Sequence, residues 1–119
     1  MTMNKEIKAE WVAALRSGEY EQGAGKLAWQ GKFCCLGVLC EVAWKHGVVA
    51  ARRDPYIAST RYDGEAQLLP RVVMEWAGLE GRDPYIAPRP REQAHPISYL
   101  NDVAGESFDT IADLIEEQL

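Results

Sequence analysis

Histidine is scarce in this chain. His46 and His95 are the only two, which removes most histidine-based hydrolase designs. A two-histidine phosphoesterase would want Ser or Thr two residues after each, and Val48 and Ile97 stand there. No Gly-x-Ser-x-Gly nucleophile elbow occurs either. A basic excess is also lacking: 18 acidic against 13 basic side chains leave a formal charge of -5. A protein that tracks duplex DNA or RNA needs a net basic face to neutralise phosphates, so no nucleic-acid polymer is expected as a partner. No apolar run is long enough to span a bilayer, and Glu41 interrupts the best one. Met1–Glu6 has no apolar core of a signal peptide. The expectation is a cytoplasmic protein without a membrane partner.

Cysteine is limited to Cys34, Cys35 and Cys40, an odd number and a poor disulfide framework. On a helix turning ~100° per residue, Cys35 and Cys40 lie ~140° apart and Cys34 and Cys40 ~120° apart. His46 returns to the face of Cys35, but ~16 Å along the axis. Zinc ligands must converge to within ~2.0–2.3 Å of the metal, so this set cannot hold one alone. Neither a metal nor another cofactor is expected. The cysteines read as small buried hydrophobes, with a reactive thiol at Cys34, near a helix N-terminus, as the one chemical alternative.

What the chain does have is a dense apolar stretch, Phe33 to Trp44, with Glu41 its single charge. Lys45, His46 and Gly47 follow it, a basic last turn and a glycine stop. This predicts a helix over Cys34–His46. A helix apolar on nearly all sides has to be wrapped by the rest of the chain. At 119 residues with 47% hydrophobic side chains, the chain makes one domain, residues 1–119.

Around that rod the elements read in order. Asn4 or Thr2 caps a first helix to about Ser17, with Ile7, Trp11, Ala14 and Leu15 as its apolar stripe and Gly18 as its stop. Its Lys5, Lys8, Glu10 and Arg16 read as a solvated face. In Lys26–Trp29, Leu27 and Trp29 share a strand face, and Gln30-Gly31 turns the chain into a short hairpin. Val48–Ala51 is a strand or the apolar lead-in to a loop. Pro70 opens a helix that buries Val72, Val73 and Trp76 and ends at Gly78. Pro96–Ala104 is a helical turn with Ile97 and Leu100 inward. Ser107 caps a last helix, Phe108 to Leu119, with Asp113, Glu116 and Glu117 on its outer face. The fold class is α+β: a mainly helical small domain around a buried central helix, with a short hairpin and a small antiparallel sheet.

Two stretches fall outside that plan. Arg-Asp-Pro-Tyr-Ile-Ala occurs at Arg53–Ala58 and again at Arg82–Ala87. Two copies do not make a solenoid, and they read as two extended or edge segments with Tyr and Ile on opposite faces. Ala87–Arg91, Ala-Pro-Arg-Pro-Arg, cannot be regular structure and reads as a mobile arm, a lid or a plain surface loop.

Candidate ligand groups follow from chemistry. Gly23 and Gly25 flank Ala24 and free the backbone to gather N–H groups, so this segment is either a tight connection or an anion nest. It is not a phosphate-loop motif, because Tyr20 and Leu27 hold positions that need Gly and Ser or Thr. Tyr20, Gln22, Gly23, Gly25 and Lys26, with the Arg53–Tyr56 and Arg82–Tyr85 pairs, supply aromatic faces and cations for a nucleotide-type ligand. Asn101-Asp102 either holds the Gly23–Gly25 loop by hydrogen bonds or binds a ribose.

Three blocks also resemble a widespread family of small uncharacterised phage and prophage proteins: Leu15–Leu27 running into Phe33–Cys40, Leu69–Leu79, and Leu100–Ala112 continuing to the C-terminus. Ala50–Asp63 and the Pro-Arg arm depart from that pattern. The resemblance implies a phage origin and an assembled domain, and carries no catalytic assignment. Phage accessory proteins of this size commonly counter host defences, some by sequestering nucleotide signals. The first expectation is therefore a counter-defence protein that binds a small nucleotide-type ligand in the host cytoplasm. A protein–protein module that inhibits a host factor is the alternative, and an enzyme ranks below both. A homo-oligomer is expected, because Trp29, Trp44 and Tyr62 exceed one small core.

Overall fold

The apolar stretch becomes an interior helix. In the computed structural model, which describes residues 3–119, α2 spans Cys35–Lys45, and every residue from Cys35 to Ala43 is buried. Cys34 and His46 are its caps: Cys34 Sγ accepts from Gly37 N–H at 3.4 Å, and the His46 N–H returns to Val42 and Ala43 carbonyls. Gly47 then takes φ 74°, the left-handed stop its position called for.

The wrapping comes from both ends of the chain. α1 (Lys5–Arg16) is capped by Asn4, whose side chain accepts from Glu6 and Ile7 N–H; the other expected cap, Thr2, lies outside the described residues. Ile7, Trp11, Val12 and Leu15 bury against α2 and α5 (Phe108–Gln118). Trp11 carries its indole N–H inside and spends it on the Cys35 carbonyl at 2.9 Å. α3 (Arg71–Ala77) and α4 (Ile97–Asp102) close the remaining sides. Val72 on α3 departs from expectation: it is exposed, and Val73 and Ala77 supply the buried face. Arg16 is not simply solvated either, since it pairs with Asp113 at 2.5 Å and Glu116 at 2.8 Å. Those exposed pairs contribute little to stability.

The strands form two small sheets. The larger joins β1 (Glu21–Gln22), β2 (Ala28–Trp29), β3 (Lys32–Phe33), β4 (Ala51–Asp54) and β5 (Ser59–Tyr62) in the order β1-β3-β2-β5-β4. All its pairings are antiparallel except β1 with β3, so the sheet is mixed. The parallel pair arises because the β2–β3 hairpin reverses the chain and β1 lies on its far side. The expected hairpin is present, but its facing differs. Leu27 precedes the strand and is buried, whereas Trp29 is 41% exposed. β6 (Tyr85–Ile86) and β7 (His95–Pro96) make the second sheet.

The repeated hexapeptide adopts two structures. In the second copy Tyr85 and Ile86 are extended, with Ile86 buried, as expected. In the first copy only Arg53 and Asp54 are extended, and Pro55–Ala58 make the β4–β5 turn. The Asp54 carboxylate accepts from Tyr56 N–H at 2.9 Å, which leaves Tyr56 96% exposed at the tip. Asp-Pro serves either geometry; the returning strand Ser59–Tyr62 selects the turn. The Pro-Arg arm, for its part, is tied at its root, because Ala87 exchanges two hydrogen bonds with the Gln118 amide. No helix among the described residues is long and apolar enough to cross a membrane.

One contact fixes the sheet on the helix. Gly37 faces the Leu27 backbone so closely that an added Cβ would lie 2.6 Å from the Leu27 carbonyl carbon. Glycine inside a helix is costly in conformational entropy, and here it is required by that approach. Gly37→Ala is expected to lower the free energy of unfolding by about 3 kcal/mol, the upper end for overpacking, as measured by urea titration followed by circular dichroism.

Candidate functional site

A buried amide sits where α2, α4 and the Gly23 loop meet. Asn101 is 4% exposed and uses its full bonding capacity. Its Nδ2 donates to Gly23 O and Asp102 Oδ1, both at 2.8 Å. Its Oδ1 accepts from Gln22 Nε2 at 2.9 Å and from the Cys35 N–H at 3.2 Å. Gln22 continues the network: Nε2 donates to the Glu106 carbonyl at 2.7 Å, and Oε1 accepts the Phe108 N–H at 3.1 Å. Two amide side chains thus satisfy the first N–H groups of α2 and α5, which lack partners inside their helices. Gly23 is held from the other side by its N–H to the Phe33 carbonyl at 2.7 Å, and a Cβ there would meet Lys32 Cβ at 2.8 Å.

Above this network opens a cavity of about 560 Å³. The loop supplies Gln22, Gly23, Ala24 and Lys26 to one wall, the hairpin supplies Trp29, Gln30 and Lys32 to the next, and Asn101, Asp102 and Gly105 close it. Lys26 Nζ stands 4.9 Å from the Trp29 ring centroid, a cation–π contact that holds both. The indole N–H of Trp29 donates to the Ile57 carbonyl at 3.0 Å and fixes the ring against the β4–β5 tip. Lys26, Lys32 and Asp102 border the cavity, and Glu21 stands 4.0 Å from the Lys32 ammonium. The cations are thus gathered at this recess although the whole protein is acidic, and an anion entering it competes with Glu21 for Lys32.

Five of the expected ligand residues therefore come together: Gln22, Gly23, Lys26, Asn101 and Asp102. Tyr20 and Gly25 do not wall the cavity. Tyr20 packs edge-on against Phe33, with Lys45 over its ring at 5.7 Å, and Gly25 turns the loop at φ 84°. The two Arg–Tyr pairs are elsewhere. Arg82 spends its guanidinium on Leu69 O and Glu65, and with Tyr85 borders a separate cavity of about 370 Å³. Arg53 binds Glu41, and Tyr56 projects into solvent. Trp29, Gln30 and Lys32 were missed because the hairpin read only as structure; a tryptophan flanked by Lys26 and Lys32 was the available signal.

Glu41, the lone charge of the apolar stretch, is buried and fully engaged. Tyr62 Oη donates to it at 2.6 Å, and Arg53 Nη2 reaches both carboxylate oxygens at 3.2 and 3.3 Å. Arg53 also lies over the Trp44 ring at 5.1 Å. Burial first, and the Glu41 carboxylate second, push the Tyr62 hydroxyl well above its ordinary value. This group clamps β4 and β5 to α2.

The thiols do not support the reactive alternative. Desolvation pushes Cys34 up to about 12 and holds Cys35 and Cys40 well above the ordinary thiol value. The helix N-terminus cannot offset burial.

A family model described as a domain of unknown function (DUF8296) matches residues 3–119. Among curated proteins and among solved structures, nothing matches the chain.

Two outcomes follow from this geometry. Asn101→Ala strands the Cys35 N–H and the Gly23 carbonyl and is expected to cost about 3 kcal/mol, read by urea unfolding. The thiols and the Tyr62 hydroxyl are weaker acids in the folded state, so unfolding releases protons at alkaline pH. The Cys34 contribution to stability is intact below its ordinary 9.0 and lost as pH rises towards about 12. Cys35, Cys40 and Tyr62 act with the same sign, so the urea midpoint should fall steadily above pH 9 and stay flat from pH 7 to 8.5.

Proposed function

The chain belongs to this family of domains of unknown function, and we propose that it binds a small nucleotide-type ligand in the cavity beside Asn101. The observation that carries the reading is the convergence of Lys26, Lys32, the Trp29 ring and Asp102 around one recess with a rigid floor. An exposed indole stacks a base, the two ammonium groups neutralise a phosphate, and the Asp102 carboxylate accepts from ribose hydroxyls. Because the Asn101 and Gln22 amides are already saturated by protein partners, they preorganise the loop, which lowers the ordering cost of binding.

Binding is favoured here over catalysis. Its titratable groups are Lys26, Lys32 and Asp102, with Glu21 beside Lys32, a set suited to neutralising and orienting an anion. Holding without turnover suits sequestration, and the resemblance of three sequence blocks to phage and prophage proteins supports a counter-defence role in the cytoplasm of an infected bacterium. Trp44, partly exposed, supports the expected homo-oligomer, whereas Tyr62 is consumed within one chain. The exposed Tyr56–Ile57 tip favours the second reading, a module that docks on a host protein.

The test is a retention assay. Purified protein is incubated with a panel of mononucleotides, cyclic dinucleotides and ADP-ribose derivatives, then filtered and heated. Intact nucleotide depleted from solution and recovered on heating is expected, with Lys32→Gln and Lys26→Gln each weakening retention at least tenfold. No depletion at micromolar protein sinks the reading, and chemically altered nucleotide replaces it with an enzyme.

A further inference from the structure

Trp29 borders two recesses. Besides the large polar cavity, a second one of about 300 Å³ lies between the β2–β3 hairpin and the β4–β5 turn. Its walls are largely carbon, from Ala28, Phe33, Pro55 and Ala58. The two recesses meet at Trp29, and the hairpin turn separates them, with Gln30 facing one and Gly31 the other. Backbone bonds hold that partition rigid: the Gln30 N–H donates to the Ala58 carbonyl at 2.7 Å, and the Trp29 indole is anchored on Ile57.

The charges of the two recesses differ. The large one carries Lys26, which lies over the Trp29 ring, and Lys32, half exposed and held only by a long 4.0 Å pairing with the exposed Glu21. In the small one Arg53 is the cation, and Glu41 and Thr60 already engage it. Asp54, the small recess's acid, is turned to the Tyr56 and Ile57 N–H groups. The small recess therefore offers apolar walls and no unpaired cation. It fits an uncharged planar group and disfavours a phosphate, which would lose hydration without gaining a partner.

We infer that the ligand has two ends: a phosphorylated nucleotide unit in the large cavity, and a second, uncharged aromatic group that crosses Trp29 into the small recess. This inference rests on the nucleotide reading of the large cavity. A dinucleotide, in which one phosphodiester joins the sugars of two nucleosides, has that form. Linking two occupied recesses makes the second contact intramolecular, and affinity rises without new charge.

Isothermal titration with three probes tests it: AMP, ADP and the 5′-phosphorylated dinucleotide pApA. ADP adds charge to AMP without a second base. The expected result is that pApA binds at least tenfold tighter than either mononucleotide. In Pro55→Glu, a change at an exposed position on the small recess, that preference should shrink towards equality. Equal affinities of pApA and ADP in the wild-type protein overturn the two-ended ligand while leaving the nucleotide reading standing. An undiminished preference in Pro55→Glu also overturns the small recess as the second site. Failure of all three probes to bind overturns both readings together.

Discussion

The backbone of Leu27 pressed against Gly37 is the contact on which the cavity depends. It lays the sheet across the first turn of the interior helix at a distance that only a residue without a side chain permits. The Leu27 carbonyl accepts the Cys34 N–H there, and its own N–H is taken up by Ala66. With Leu27 fixed, the hairpin that follows has one direction to run. Trp29 and Lys32 are then delivered to the same recess as the Gly23 loop. The central helix is therefore more than filler: its start locates both the strand pair and, through Cys35 and Asn101, the loop opposite.

Buried polarity divides in two kinds. Asn101 and Gln22 are neutral amides that bridge elements and carry no charge into the interior. Their cost is met by complete hydrogen bonding, which a buried amide requires. Glu41 is a buried carboxylate and needs more: a tyrosine hydroxyl and a guanidinium together compensate it. Gln22 and Asn101 also line the cavity, but with their amides already bonded to protein partners. Both groups stiffen the elements around the cavity, so the lysines, the indole and Asp102 are presented from a fixed frame.

The helices were legible in the sequence because their determinants are local. The apolar stretch, the Asn4 and Ser107 caps and the glycine stops at Gly18, Gly47 and Gly78 each act within a turn of where they stand. The α+β class and the enclosed rod follow from them. The sheet was less legible, since five strands of two to four residues carry too little alternation to fix register. Trp29 shows why: leaving Leu27 out of the strand reverses which neighbour is buried. The hexapeptide copies show the same limit more sharply, because identical residues take a turn in one place and a strand in the other. Half the site was readable from chemistry, through Gln22, Gly23, Lys26, Asn101 and Asp102. The arginines were misplaced because nothing in a sequence says that Glu41 and Glu65 lie close enough to occupy them.

The three interior thiols give the domain a one-way memory of having opened. While α2 stays enclosed they meet neither oxidant nor metal, whatever the surroundings. Once the rod is released, Cys34, Cys35 and Cys40 emerge within seven residues of one another, with ordinary acidity restored and partners on neighbouring chains. Under oxidising conditions a molecule that stays open long enough for thiol oxidation, which is slower than the refolding of a small domain, is captured by cross-linking. Its loss then follows the population of the open form and is irreversible.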